Sequence, residues 1–158
     1  MNDDQIQQII THAIHCLRNE QPPLDFHIVH ERSTAHRLAV YLESQFRGWN
    51  IDCEYDRYGQ VQKLLDGIRA CDQRRRTDRI LPDIIVHHRG QNGPEHNILV
   101  IEMKKHAAQD RCDFEKLQGM TDQDGSFRYQ LGLYVNLNAG QFDCTWFKDG
   151  AIMPNRNA

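Results

Sequence analysis

Five cysteines are spread over 158 residues, at positions 16, 53, 71, 112 and 144. Their number is odd and no two stand at C-x-x-C spacing, so neither a disulfide framework nor a zinc ribbon is expected. Each reads as a small, buried or half-buried thiol in a reducing compartment, which points to the cytoplasm. Long apolar runs are also missing. The longest purely aliphatic stretch, Ile98 to Ile101, is four residues, against the ~20 a helix needs to cross a bilayer. No membrane partner is therefore expected. The opening Met1-Asn2-Asp3-Asp4-Gln5 is polar and acidic, with neither the basic nor the apolar region of a secretory leader. No internal repeat is visible. Positive charge is in deficit, net −3, which excludes a uniformly basic nucleic-acid-binding surface.

What remains is an ordinary globular mixture, 39% apolar and 26% charged, of a length that suits one domain spanning 1–158. Charge is unevenly spread. Arg69, Arg74, Arg75, Arg76 and Arg79 stand against only Asp72 and Asp78, so this short stretch is basic and the rest acidic. Ile6, Ile10, Ala13, Ile14 and Leu17 fall at helical spacing and predict a helix over 3–18. Pro22-Pro23 ends it. A second helical stripe uses Ile28, Ala35, Leu38, Leu42 and Phe46, with Asp25 as N-cap and Gly48 as stop. Trp49 to Tyr55 reads as a short strand, and 56–81 as a long polar connection with one helical turn at 61–68. Pro82 to His88 and Asn97 to Lys104 read as buried strands joined by a turn-rich segment. A helix over 110–121 turns Phe114, Leu117 and Met120 inward. Strands at 129–137 and 142–147 follow. The order α, α, β, β, β, α, β, β predicts an α/β or α+β fold, a mixed central sheet flanked by helices.

The chemistry concentrates on the two central strands. Read as a symmetric antiparallel hairpin, they place opposite each other residues whose numbers add up to 185. Asp83 then faces Glu102, with Cβ atoms about 4.5–5.5 Å apart. Lys104, two residues on, shares the face of Glu102. A bulge in either strand would break this register. Two carboxylates so placed in an apolar sheet repel each other, and burying them unpaired is costly. A divalent cation resolves the conflict. Mg²⁺ suits it best, preferring oxygen ligands and keeping several waters, one of which it makes more acidic. Lys104 can orient such a water or stabilise charge developing on a phosphate. Glu31 occupies a gap in the stripe of the second helix, which aims it at something beneath that helix, within reach of the same pair.

Pro82-Asp83 followed by Glu102-Met103-Lys104 across a strand-turn-strand resembles the PD-(D/E)xK motif of the restriction-endonuclease-like nucleases. The helix bearing Glu31 stands before the first strand, as that superfamily's αβββαβ core would have it. The resemblance covers Asp25 to Leu137 and implies a nuclease core at about 25–147 behind an extra N-terminal helix. HERSTAHRLAVYLE, CEYDR, PDIIVHHRG, ILVIEMKK and DFEKLQGMT also look like segments of a group of small uncharacterised prokaryotic proteins of this fold. The sequence departs from the pattern in the long insertion over 56–81. The resemblance implies hydrolysis of phosphodiester bonds with Mg²⁺, or Mn²⁺ in its place. Asp83 and Glu102 would be metal ligands, the Met103 carbonyl would join them, Lys104 would be the catalytic lysine and Glu31 the helix acid. The fold also carries members with other or lost activities, so a non-catalytic nucleic-acid- or protein-binding module is the alternative.

Arg74, Arg75, Arg76 and Arg79, just ahead of Asp83, are the expected contacts to a nucleic-acid backbone, with DNA the favoured substrate. Tyr55, Arg57 and Tyr58 could add stacking or phosphate contacts, and Gln118 a polar group near the site. Asp113 and Lys116 read as surface residues or a local ion pair. The nine histidines form no tetrahedral set with Cys or carboxylates, so structural zinc is not expected. His87 should share a face with Asp83. A chain this small offers little surface to a duplex, which favours a homodimer.

Overall fold

The computed structural model describes residues 1–20, 24–26, 28–55, 57–58, 61–62, 64–65, 79–91, 93–105, 110–138 and 141–154, with backbone alone at 57–58 and 61–62. Helix α1 spans Asp3–Arg18, the predicted limits. Asn2 caps it in a reciprocal box, its side chain accepting from the Gln5 amide while the Gln5 side chain accepts from the Asn2 amide, both at 2.9 Å. Asp3 and Asp4 complement the positive end of the helix dipole. Ile6, Ile10, Ala13 and Leu17 are the buried stripe.

Helix α2 spans Glu31–Glu43 and starts later than the pattern predicts. The expected cap, Asp25, instead closes a separate turn in which its carbonyl accepts from the amides of Ile28 and Val29. Ile28 is consequently 77% exposed and does not belong to the stripe, which begins at Thr34 and Ala35 and continues through Leu38, Leu42 and Phe46. Gly48, with φ +86°, turns the chain into the sheet, where a Cβ would be strained.

The strands are β1 (Asn50–Cys53), β2 (Arg57–Tyr58), β3 (Val61–Gln62), β4 (Ile84–His87), β5 (Asn97–Lys105), β6 (Leu131–Asn138), β7 (Gln141–Lys148) and β8 (Ala151–Ile152). Six form one mixed sheet in the order β1-β4-β5-β6-β7-β8, and β2 and β3 pair separately. All neighbours in the large sheet are antiparallel except β5 and β6. Those two run parallel because helix α3 (Arg111–Thr121) carries the chain back between them. The fold is thus mixed α and β, as expected. The short strand β8 carries too few residues for a pattern and is not anticipated.

The β4–β5 register matters most. Ile84 pairs with Ile101, Ile85 with Val100 and Val86 with Leu99, which is the predicted relation. The irregularity foreseen as a danger does occur, but between Val86 and His87, where His87 slips to pair with Asn97. It lies beyond the part of the hairpin that aligns Asp83 with Glu102.

The sheet separates two cores. Ile84, Val86, Leu99, Ile101, Met103, Leu131 and Leu133 pack with α1 and α2. Ile85, Val100, Tyr134 and Phe147 pack on the other face with Leu117 and Met120 of α3. Each such side chain contributes on the order of 1.5–3 kcal/mol by leaving water. No helix among the described residues is long and apolar enough to cross a membrane. Cys16, Cys53 and Cys144 are free, but Cys112 is disulfide-bonded. This corrects the expectation of five thiols and removes cysteine usage as an argument for a reducing compartment. Bridged cysteines need only be neighbours in space, which spacing along the chain does not reveal.

Candidate functional site

Asp83 stands one residue before β4, after the buried Pro82. Strand pairing stops at Ile84, and the Asp83 carboxylate continues it with a side chain. Its Oδ2 accepts the Met103 amide at 2.7 Å. Glu102 lies at the register position opposite and is 2% exposed. Its strand neighbours Ile101 and Met103 belong to the α1–α2 core, so alternation directs Glu102 to the α3 face. Lys104 shares that face.

Helix α3 brings further charge. Asp110 caps it, with Oδ1 accepting from the amides of Cys112 at 2.9 Å and Asp113 at 3.3 Å. Asp113, Lys116, Leu117, Met120 and Thr121 form the buried side. Lys116 Nζ lies 2.8 Å from Glu102 Oε2 and 3.1 Å from Asp113 Oδ1. Lys104 Nζ is 3.2 Å from Asp113 Oδ2, 3.9 Å from Asp110 Oδ2 and 4.0 Å from Glu31 Oε1. Asp113 and Lys116 do form the local ion pair considered above, but they are not surface residues, being 4% and 3% exposed. Their partners lie on another element, which no local pattern reports. Asp110, the first residue of the predicted helix, is its cap, as an Asp ahead of an apolar helix signals. Gln118 is half-buried and outside the inward set of α3.

Glu31 reaches the site from the first residue of α2. Its Oε2 accepts the Lys105 amide at 3.0 Å, and Lys105 Nζ donates to the Val29 carbonyl at 3.0 Å. The end of β5 is thereby clamped to the start of α2. Lys104 lies 4.0 Å from Glu31, and Asp83 feels the charge of Glu31 as Glu102 feels that of Asp83, so these four side chains lie near one another. The Met103 side chain lies in the opposite core, while its amide holds Asp83. Arg79 is exposed and bridges Leu64. Arg69, Arg74, Arg75 and Arg76 lie outside the described residues.

Burial dominates the acid–base behaviour. It lifts the Asp83 carboxyl to about 6, against the opposing pull of the Met103 amide and Lys116. Glu102 is pushed well above the usual carboxylate range by burial, again with Lys116 opposing and with Asp83 and Asp113 adding to the rise. Lys104 and Lys116 move up from the ordinary lysine value. Burial works against both, but Asp113 and Glu31 outweigh it at Lys104, and Glu102 and Asp113 at Lys116. Both lysines stay charged at neutral pH.

A second polar group sits on the same sheet face, at its β1 edge. His87, 4% exposed, has Nε2 2.8 Å from Asp52 Oδ2. Arg89 Nε donates to that oxygen at 2.6 Å, and Arg89 also pairs with Oδ1. Burial raises the Asp52 carboxyl, yet Arg89 and His87 hold it below its usual value. Tyr55 packs its ring 5.0 Å from that of His87. A cavity of about 200 Å³ opens beside Asp83, lined also by Arg32, Ala35, His36, Cys53 and Glu54.

Among the described residues no three His, Cys, Asp or Glu side chains converge as a ready metal cage. The donor set instead suits a cation that takes few protein ligands and keeps its waters. It offers two carboxylates at opposed positions of one hairpin, and Glu102 Oε1 is buried without a hydrogen-bond partner among the described residues. Such an oxygen is costly unless a cation or proton meets it. Across its length the chain matches no protein-family model, no curated protein and no solved structure.

Proposed function

We propose that the chain is a divalent-cation-dependent nuclease of the PD-(D/E)xK kind, hydrolysing phosphodiester bonds of nucleic acid, with DNA the favoured substrate. The observation that carries this reading is the Asp83–Glu102 pair: carboxylates at opposed register positions of one hairpin, largely buried, with Glu102 Oε1 unpartnered among the described residues. The order of elements supports it. A helix bearing Glu31, three adjacent antiparallel strands of the large sheet (β1, β4, β5, with the separate β2–β3 pair inserted after the first), a helix and a further strand follow the αβββαβ order the resemblance implies.

In this reading Asp83 and Glu102 hold Mg²⁺ or Mn²⁺, together with the Met103 carbonyl that the resemblance adds. When bound, the cation supplies Lewis acidity to a phosphodiester oxygen and to the attacking water. Cation binding displaces the proton that burial favours on Asp83, so the site loads as pH rises past about 6. Lys104 remains an ammonium among Asp113, Asp110 and Glu31. It therefore acts as positive charge against the phosphate rather than as a proton acceptor. Glu31 fixes the end of β5 through the Lys105 amide, and so fixes where Lys104 emerges. Arg74, Arg75, Arg76 and Arg79 are the proposed phosphate-backbone contacts, and a homodimer would present two sites to a duplex.

One observation favours the alternative of a non-catalytic nucleic-acid-binding module: Glu102 already has an ammonium partner in Lys116. Cleavage of labelled linear, nicked, branched and single-stranded DNA, and of RNA, separates the readings when run with Mg²⁺, Mn²⁺ or EDTA. The expected outcome is metal-dependent cutting that Asp83→Ala and Lys104→Ala reduce at least a hundredfold. Salt-sensitive binding with no turnover in any metal would establish the binding module instead.

A further inference from the structure

Lys116 is the one lysine on the inward side of α3, and the resemblance gives it no role. It is nearly as buried as the carboxylate it meets, with side chains 4% and 3% exposed for Lys116 and Glu102. Asp113 holds it from one side at 3.1 Å and Glu102 receives it on the other at 2.8 Å. The second oxygen of Asp113 makes no hydrogen bond among the described residues but lies 3.2 Å from the Lys104 ammonium as an ion pair. The helix itself is anchored by Leu117 and Met120 in the core on the α3 face. The ammonium therefore has little freedom to move aside.

The two oxygens of Glu102 are unequal in consequence. Oε2 carries the Lys116 contact, while Oε1 is buried and has no hydrogen-bond partner among the described residues. Were Lys116 to stand in the place of a divalent cation, it would be expected to serve the open oxygen as well. It serves one and leaves the other.

We propose that Lys116 is a positioning residue for the divalent cation, holding Oε2 of Glu102 so that Oε1 is left for a cation shared with Asp83. This rests on the nuclease reading. It assigns the two lysines separate work: Lys116 orients a ligand from behind, and Lys104 faces the phosphate. Asp113, touching both, couples their positions.

The test is Mn²⁺ affinity of the purified chain, read by calorimetry and by the electron paramagnetic resonance of bound Mn²⁺. Wild type is compared with Asp83→Ala, Lys116→Met and Lys148→Met, the last removing a lysine paired with Asp3 away from the site. Circular dichroism and melting temperature report folding. Lys116→Met is expected to weaken Mn²⁺ at least tenfold while folded, and Lys148→Met to leave it unchanged. Equal or tighter binding by Lys116→Met overturns the proposal, since Lys116 would then be neutral or a competitor. If Asp83→Ala loses Mn²⁺ and Lys116→Met does not, the nuclease reading stands and this inference alone falls. If wild type binds no Mn²⁺, both fall. Should Lys116→Met fail to fold, a crystal structure of the wild-type Mn²⁺ complex decides. Mn²⁺ on Oε1 with Lys116 still at Oε2 upholds the proposal, and Mn²⁺ on Oε2 with Lys116 displaced overturns it.

Discussion

The two faces of the central sheet are built from the same strands and do opposite things. On the α1–α2 face, β4, β5 and β6 present Ile84, Val86, Leu99, Ile101, Leu131 and Leu133, all fully buried and all aliphatic. On the α3 face β5 presents Glu102 and Lys104 beyond Val100, β4 presents His87 beyond Ile85, Asp83 stands at the β4 end of the hairpin, and α3 answers with Asp113 and Lys116. The first face gains free energy from nearly every side chain. The second spends part of that gain on desolvating charge. A strand that reads Leu99-Val100-Ile101-Glu102-Met103-Lys104 thus supports the fold with its odd positions and carries the candidate chemistry on its last even ones.

The largest expected effect comes from weakening the apolar face. Leu99→Ala leaves a cavity between the sheet and the helices, and is expected to lower unfolding free energy by roughly 2–5 kcal/mol in urea denaturation. A loss below about 1 kcal/mol would show that α1 and α2 collapse onto the gap. The opposite sign is expected on the other face. Asp83 titrates at about 6 in the folded chain and near 3.9 unfolded. Between those values the native state holds more protons than the unfolded one, so stability falls as pH rises from about 4 to about 6. Asp83→Asn keeps an acceptor for the Met103 amide and removes the titration. Above pH 6 it should be more stable than wild type by roughly 3 kcal/mol, with a flatter profile through that window. An unchanged profile would mean that Asp83 ionises freely.

The buried ion pair gives a somewhat smaller contrast. Glu102→Met with Lys116→Met replaces both charges by apolar groups of similar length, leaving Asp113 its contact with Lys104. The double variant is expected to match wild type or exceed it by roughly 1–4 kcal/mol, while losing Mn²⁺ binding. A clear loss of stability would show that the pair serves the fold rather than the site.

Much of the hairpin was legible because its register follows from two strong constraints, apolar runs of matching length and a turn placed evenly between them. That symmetry aligned Asp83 with Glu102, and the bulge fell harmlessly past Val86. Glu31 was located for a partly mistaken reason. The stripe that pointed to it counted Ile28, which is exposed, whereas its true anchor is the Lys105 amide on another element. Asp113 and Lys116 show where sequence logic fails. The phase that turns Leu117 and Met120 inward also turns positions 113 and 116 inward, so the geometry was available. Residue type argued the other way, since Asp and Lys on a helix usually face water. Only the fold brings Glu102 to meet them. The disulfide at Cys112 was illegible for the same reason.

The smallest contrast lies within α3 itself, between two neighbouring residues. Asp110 caps the helix through two amides and stands 3.9 Å from Lys104. Arg111 is 87% exposed and pairs with Glu115 one turn on. Asp110→Ala is expected to lower stability by about 1 kcal/mol through the lost cap, and Arg111→Ala by no more than about 0.5 kcal/mol. If α3 is only a cover for the sheet, the two variants should differ in stability and in nothing else. If α3 sets the positions of Lys104 and Lys116, Asp110→Ala should also weaken Mn²⁺ affinity severalfold while Arg111→Ala leaves it intact. A shared loss of stability with no change in Mn²⁺ affinity in either would confine the role of the Asp110 end of α3 to folding.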